Sequence, residues 1–406
     1  MKTVAIICEY NPFHTGHKHH IDQIRRELGE DTRIIAIMSG SFTQRGESAI
    51  MDKGDRARCA VLSGVNLVLE LPFPYSAASA ELFARAGVAI ADRLGIVDFL
   101  SFGSESGDIS ALTSYAELSS RAEYTELVAK MLDNPENAAM GYPRVCEMAF
   151  DALYGKSCGM SLTPNNILAI EYIKALNAFD SKIKPHTVAR KGAAFNEATV
   201  IDGEALQSAS AIRKEALSGN FSALEFIPDE AKPIILDAIK RGAFPCDMEK
   251  LAPAVISFFR LSPTDADVEI HDAKGGLYNR LKAASLEANS ISALVRLSET
   301  KKYTNARILR TVWSSFFGVT SSDVRCLPEY TQILAFDGIG RACLKEIRGL
   351  TQISVLTKPT DTEGLSDIGR RQKALSDKAD SIFHLTRPEA VSGAYSLRYT
   401  PFVKKG

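Results

Sequence analysis

The chain has 406 residues, of which 45% are hydrophobic and 24% charged, and a formal net charge of −1. That length predicts two or three domains, and the near-neutral balance excludes a uniformly basic nucleic-acid glove, so any RNA contact has to come from local patches. No apolar run is long enough for a bilayer span, no signal peptide precedes the first strand, and seven scattered cysteines lack a Cys-x-x-Cys pair, which together predict a cytoplasmic protein without a disulfide frame, zinc ribbon or membrane partner.

The first apolar run, Val4-Ala5-Ile6-Ile7-Cys8, reads as a buried parallel strand. Asn11-Pro12 forces a turn, and from Gly16 the pattern is helical, with Ile21, Ile24 and Leu28 on one face. His14 and His17 therefore stand where the first strand hands over to the first helix, at the carboxyl edge where open α/β sheets bind ligands. A helix start offers unpaired N–H groups and a positive dipole end to phosphate. If the helix is reached by His14, the two imidazoles lie three apart on one face. Gly16, without a Cβ, lets a nucleotide lie against the backbone. Two other readings are a loop histidine beside a capping one, and a metal pair helped by His19 and His20. No fixed carboxylate or cysteine partner is adjacent, so no metal site is expected.

Further strands are predicted at residues 33–38, 66–71, 97–102 and 186–190, with helices at 52–63 and 76–94. Residues 109–178 read as a helical insertion before the last strand. The alternation stops near residue 220, after which helices dominate, among them 231–241, 277–288 and 306–317, with a strand near 353–357. The expected fold is α/β: a Rossmann-like parallel sheet with a helical insertion over residues 1–219, then a mainly helical domain over residues 220–406.

Several other groups stand at strand ends or helix starts. The polar loop around Gln44-Arg45-Gly46-Glu47 reads as a mobile lid with Arg45 reaching a phosphate or carboxylate. Lys53, Arg56 and Arg58 read as solvated or pyrophosphate-side charges. Gly103, leaving the fourth strand, permits close approach of a purine or ribose. Asn165 or Asn166 caps the next helix. Arg190 and Lys191 follow the last strand, and Ser208, Ser210 and Arg213 open another helix, which suits phosphate. Lys301, Lys302, Tyr303, Arg307 and Arg310 form the strongest basic patch. Arg307 and Arg310 share a helix face, and a tyrosine among cations suits a stacked base; a plain solvated helix face is the alternative.

His14-Thr15-Gly16-His17 resembles the His-x-Gly-His element of the nucleotidyltransferase superfamily, shared by class I aminoacyl-tRNA synthetases. The longer string Glu9-Tyr10-Asn11-Pro12-Phe13-His14-Thr15-Gly16-His17 resembles the start of the bacterial tRNA(Met) cytidine acetate ligases. The resemblance is strong over residues 1–215, weaker over 270–350 and poor over the last fifty. The sequence departs from the family at Ser48 (usually proline), Lys191 (usually aliphatic), Phe195 (a tyrosine nearby) and Ala211 (threonine in the second superfamily element).

The resemblance implies an ATP-dependent ligase. Acetate attacks the α-phosphate of ATP, releasing pyrophosphate, and the exocyclic amine of the wobble cytidine of elongator tRNA(Met) then takes the acetyl group. It implies catalysis by His14 and His17. ATP contacts are implied at Ile7, Cys8, Glu9, Tyr10, Asn11, Pro12, Phe13, His14, Thr15, Gly16, His17, Lys18, His19 and His20, and at Gly103, Asn166, Arg190, Lys191, Ser210 and Arg213. tRNA contacts are implied at Lys301, Lys302, Tyr303, Arg307 and Arg310. Mg²⁺ is expected to arrive with ATP, carried by phosphates and water. The rival readings are a small-molecule adenylyltransferase, which leaves the second half idle, and a nucleotide-sensing RNA-binding protein without turnover, which leaves the histidine pair and Arg213 unexplained.

Overall fold

The computed structural model describes residues 1–137, 140–155, 161–189, 199–201, 204–206, 208–263 and 269–405. Strands β1 (Thr3–Cys8), β2 (Arg33–Ser39), β3 (Leu67–Leu71), β4 (Phe99–Ser104) and β5 (Lys184–Ala189) pair in parallel in the order β3-β2-β1-β4-β5. The chain steps from β1 outward through β2 to β3, then returns to β4 on the other side of β1. The carboxyl end of β1 is thus a topological switch point, where crossovers leave in opposite directions and a crevice opens.

Period-two alternation sends the strand side chains to two cores. Val4, Ile6, Ile34 and Met38 pack on one face with Ile21 and Ile24 of α1 (Thr15–Leu28) and with Ala57 and Ala60 of α2 (Lys53–Leu62). Ala5, Ile7, Ile35 and Leu69 pack on the other with Phe83 and Val88 of α3 (Ala80–Arg93). The insertion is helical as expected: α4 (Ile109–Ser119), α5 (Ala122–Asp133), α6 (Tyr142–Tyr154) and α7 (Pro164–Ala178), the last returning Ile170 and Ile173 to the sheet core. A short hairpin, β6 (Thr199–Ile201) with β7 (Glu204–Leu206), precedes α8 (Ala209–Leu217).

The second half is mainly helical: α9 (Lys232–Lys240), α10 (Ala252–Leu261), α11 (Leu277–Ser285), α12 (Ile291–Ser298), α13 (Asn305–Phe317), α14 (Ser321–Arg325), α15 (Gly338–Leu350) and α16 (Asp367–Phe383). It is not separate from the first half. β8 (Tyr330–Phe336) pairs antiparallel with β3, and β9 (Ser354–Leu356) and β10 (Phe402–Val403) pair parallel with β8. These strands complete an eight-stranded sheet. They cover the edge of β3, whose residues are all buried and whose backbone groups would otherwise lack partners. A third core mixes both halves, joining Phe42 and Phe73 to Val312, Trp313, Phe317 and Phe383.

Two basic side chains of α2 are buried rather than solvated, which corrects the reading of Lys53 and Arg56 as surface or pyrophosphate-side charges. Lys53 Nζ donates to Glu70 Oε1 at 2.7 Å and to Asp380 Oδ2 at 2.6 Å. Burial alone would lower its pKa, but the two carboxylates outweigh that and raise it. Arg56 is fully buried and donates to the carbonyls of Met51 (3.1 Å), Glu9 (2.6 Å) and Gly40 (2.5 Å). It ties the carboxyl ends of β1 and β2 together. Arg58 remains partly exposed, beside Asp55 at 3.4 Å.

Replacing Lys53 by Met leaves Glu70 and Asp380 as an uncompensated buried pair of acids. We expect a loss of about 3–5 kcal/mol of stability, read from urea unfolding.

Candidate active site

The turn after β1 reaches the helix at His14, which is the N-cap of α1. Its Nδ1 accepts from Gly16 N at 3.0 Å, and its own backbone N–H donates to His17 Nδ1 at 3.3 Å. The pair forms a reciprocal capping box in which imidazoles replace the usual hydroxyl and carboxylate. The rings lie 3.9 Å apart, centroid to centroid. A neutral imidazole whose Nδ1 accepts carries its proton on Nε2, so backbone bonding sets both rings to the tautomer with an Nε2 donor. Tyr10 and Phe13 hold His17 from the side, at 4.9 and 5.6 Å between ring centroids.

Gly16 has a structural job as well. A Cβ there would lie 2.8 Å from His14 Cε1, so the absent side chain makes room for the capping imidazole. Around the seam, Asn11 Nδ2, Thr15 Oγ1 and Ser39 Oγ are buried and have no hydrogen-bond partner among the described residues. Buried polar atoms rarely stay unsatisfied, and Asn11 Nδ2 and Thr15 Oγ1 at the seam, with Ser39 Oγ at the end of β2, are suited to a polar ligand.

The rest of the 7–20 run divides between site and scaffold. Ile7 packs into the sheet core against Gly87 of α3. Burial pushes the Cys8 thiol upward, against use as a thiolate. Glu9 accepts from Gln44 N at 2.9 Å, and burial raises its carboxyl pKa against the opposing effects of that bond and of Arg213. Lys18 pairs with Asp22 at 2.6 Å, and His19 is partly exposed. The His20 ring bonds Ser101 Oγ of β4 at 2.9 Å; Ser101 meets His186 Nδ1 of β5 at 3.0 Å, and His186 Nε2 meets Glu27 at 2.8 Å. That chain pins α1 to β4 and β5.

Arg213 enters the seam from α8. Nη1 donates to Asn11 O at 2.9 Å, Nη2 to Glu47 Oε2 at 2.5 Å, and Ser210 Oγ lies 3.4 Å away. Ser208 is the N-cap of α8. The expected mobile lid is instead a packed turn. Gly46 N donates to Thr43 O at 2.8 Å, Phe42 is buried, and Trp313 Nε1 donates to Gly46 O at 2.5 Å. Only Arg45 at its tip is exposed.

Across the crevice, Gly103 sits in β4 opposite Val188 of β5. Asn166 is buried, and its Oδ1 accepts from Glu105 N (3.0 Å) and Ser106 N (3.2 Å). Its side chain shapes the turn after β4. Glu105 answers by accepting from Asn166 N at 3.0 Å, Thr163 at 2.7 Å and Asn165 at 2.6 Å. Burial works to raise the Glu105 pKa, but these bonds hold it below its ordinary value. Reading the sequence does not single out Glu105, because it lies sixty residues before Asn165 in the chain and only the fold brings the two together. Arg190 and Lys191 lie outside the described residues.

The basic patch on α13 is largely tied down. Tyr303 is buried and its hydroxyl donates to Gly275 O, so its ring is not presented for stacking on a base. Arg307 donates to the carbonyls of Asp272 and Lys274 at 3.3 and 3.2 Å, and Arg310 pairs with Asp272 at 2.9 Å. These groups clamp the 272–275 loop. Lys301 and Lys302 are exposed.

A histidine-capped first helix at the switch point of a parallel sheet, with an arginine from a later helix beside it, defines a nucleotidyl transferase of the His-x-Gly-His type. The pattern of the family described as HIGH Nucleotidyl Transferase matches residues 1–395. The tRNA(Met) cytidine acetate ligase of Thermoanaerobacter sp. (strain X514) is 35% identical over 364 residues, covering 88% of this chain and 89% of that protein. That of Alkaliphilus metalliredigens is 32% identical over 424 residues, covering 96% and 98%. The crystal structure of Thermotoga maritima TmcAL bound with alpha-thio ATP superposes with a TM-score of 0.89 at 28% identity, covering 99% of both chains. The chain belongs to the tRNA(Met) cytidine acetate ligase family.

Replacing Arg310 by Ala strands the partly buried Asp272. We expect a stability loss of about 1–3 kcal/mol in urea unfolding, which marks Arg310 as a structural clamp.

Proposed function

We propose that this enzyme ligates acetate to the exocyclic amine of the wobble cytidine of elongator tRNA(Met), consuming ATP. The observation that carries this reading is the histidine capping box: both Nδ1 atoms are engaged by the backbone, which puts the proton of each neutral ring on Nε2 at a helix N-terminus. Such a group suits negative charge that builds on a triphosphate. An acetate oxygen attacks the α-phosphorus and pyrophosphate departs, giving acetyl-adenylate. The cytidine amine then attacks the acetyl carbonyl and AMP leaves. No side chain need become acylated, in keeping with the raised Cys8 pKa.

His14 and His17 stabilise the α-phosphate charge, and Arg213 with Ser210 and Arg190 adds cationic and polar contacts. Thr15 Oγ1 and Asn11 Nδ2 supply further phosphate partners from the seam. Gly103 admits the nucleoside to the crevice, and Asn166 acts through the Glu105-Ser106 turn as a positioning residue. Mg²⁺ travels with the substrate, carried by phosphates and water. Residues 1–219 carry the nucleotide site, and the helical layer after residue 220 receives the tRNA. Lys301 and Lys302, exposed beside Lys274, are the cations left for phosphate contact.

The direct test has two readouts: acetate-dependent pyrophosphate release from ATP, and N4-acetylcytidine in tRNA by nucleoside mass spectrometry. With His17→Ala the fold is retained, and acetate-dependent turnover falls by at least about 30-fold, or about 2 kcal/mol. Near-wild-type turnover would remove His17 from catalysis. Lys301→Glu combined with Lys302→Glu weakens tRNA binding and flattens its dependence on salt; an unchanged salt series would move the tRNA elsewhere.

A further inference from the structure

Arg213 donates to three oxygens, Ser210 Oγ of its own helix and two of different character. Asn11 O belongs to the β1–α1 turn and is part of the scaffold, whereas Glu47 Oε2 belongs to a side chain that is 36% exposed. A carboxylate and a phosphate satisfy a guanidinium through the same charge-assisted geometry. Glu47 therefore stands where an oxyanion of the nucleotide would dock if Arg213 binds phosphate.

The backbone around Glu47 is fixed by the fold, while its partly exposed side chain is held by Arg213. Gln44 N is held by Glu9 at 2.9 Å, and Gly46 O by Trp313 at 2.5 Å. Gly46 has a φ of +79°, and a Cβ on it would lie 2.7 Å from Leu309 Cβ and 2.8 Å from Arg310 N, so the turn sits directly against α13. Rotation of the Glu47 side chain alone separates it from Arg213.

We propose that Glu47 is a built-in competitor of the triphosphate, occupying Arg213 when no nucleotide is bound and yielding it when ATP arrives. This rests on the reading that Arg213 contacts ATP phosphates. Two effects oppose nucleotide binding: the ion pair is broken, and the displaced carboxylate, tethered through Gly46, stays near the incoming negative charge. Because the tether is Trp313 of α13, the helical layer sets where that carboxylate stands. The alternative, a Glu47 that permanently positions Arg213 for catalysis, requires the pair to persist with ATP bound and predicts the opposite sign.

The test is calorimetric titration of the full-length protein with a non-hydrolysable ATP analogue at low ionic strength. Glu47→Gln lowers Kd by about three- to tenfold, the size expected for a half-exposed ion pair plus relief of repulsion. Arg213→Gln raises Kd by about tenfold or more, and in that background the gain from Glu47→Gln shrinks. An unchanged or higher Kd for Glu47→Gln, with Arg213→Gln still weakening binding, overturns the competitor role. An unchanged Kd for Arg213→Gln overturns the assignment of Arg213 to phosphate, and the proposal with it.

Discussion

The first turn of α1 is closed by imidazoles, and the site depends on that closure. A serine or aspartate cap satisfies the first free N–H groups and ends there. Here the capping atoms are the Nδ1 atoms of His14 and His17, and each ring has a second nitrogen beyond the backbone. Bonding through Nδ1 orients the ring, sets its tautomer and presents an Nε2 donor. Helix capping and the proposed phosphate contacts thus involve the same two side chains. Gly16 is part of the device, because any Cβ would strike the His14 ring.

Beneath the cap, the carboxyl edge of the sheet is held by buried charge. Arg56 gathers three carbonyls from segments that splay apart after β1 and β2. Lys53 joins Glu70 of β3 to Asp380 of α16, which ties α16 to the sheet. Burying such groups is costly unless they are compensated: Lys53 is paired with two carboxylates, and Arg56 is satisfied by three carbonyls. With β8 sealing the edge of β3, they make the second half of the chain a wall of the first rather than an appendage.

The alternating first half was legible because its strands are short apolar runs bounded by turn residues, and its helices carry clear apolar faces. α2, α9 and α13 fall within a residue or two of their expected bounds. The antiparallel β8 was hidden: Tyr330-Thr331-Gln332-Ile333 lacks a simple period, because Thr331 is buried with its hydroxyl on Glu70 O. The basic patch on α13 misled for a related reason. Sequence displays Tyr303, Arg307 and Arg310 as available cations and ring, while the 272–275 loop, some thirty residues earlier, consumes their donors.

The sequence by itself determined the chemistry at the β1–α1 seam. Strand, turn and helix start are local, and residues three apart on a helix must be neighbours. Only the tertiary structure decided which charges are spent. Lys53, Arg56 and Arg310 have similar chemistry along the chain, yet partners from distant segments hold each of them within the fold.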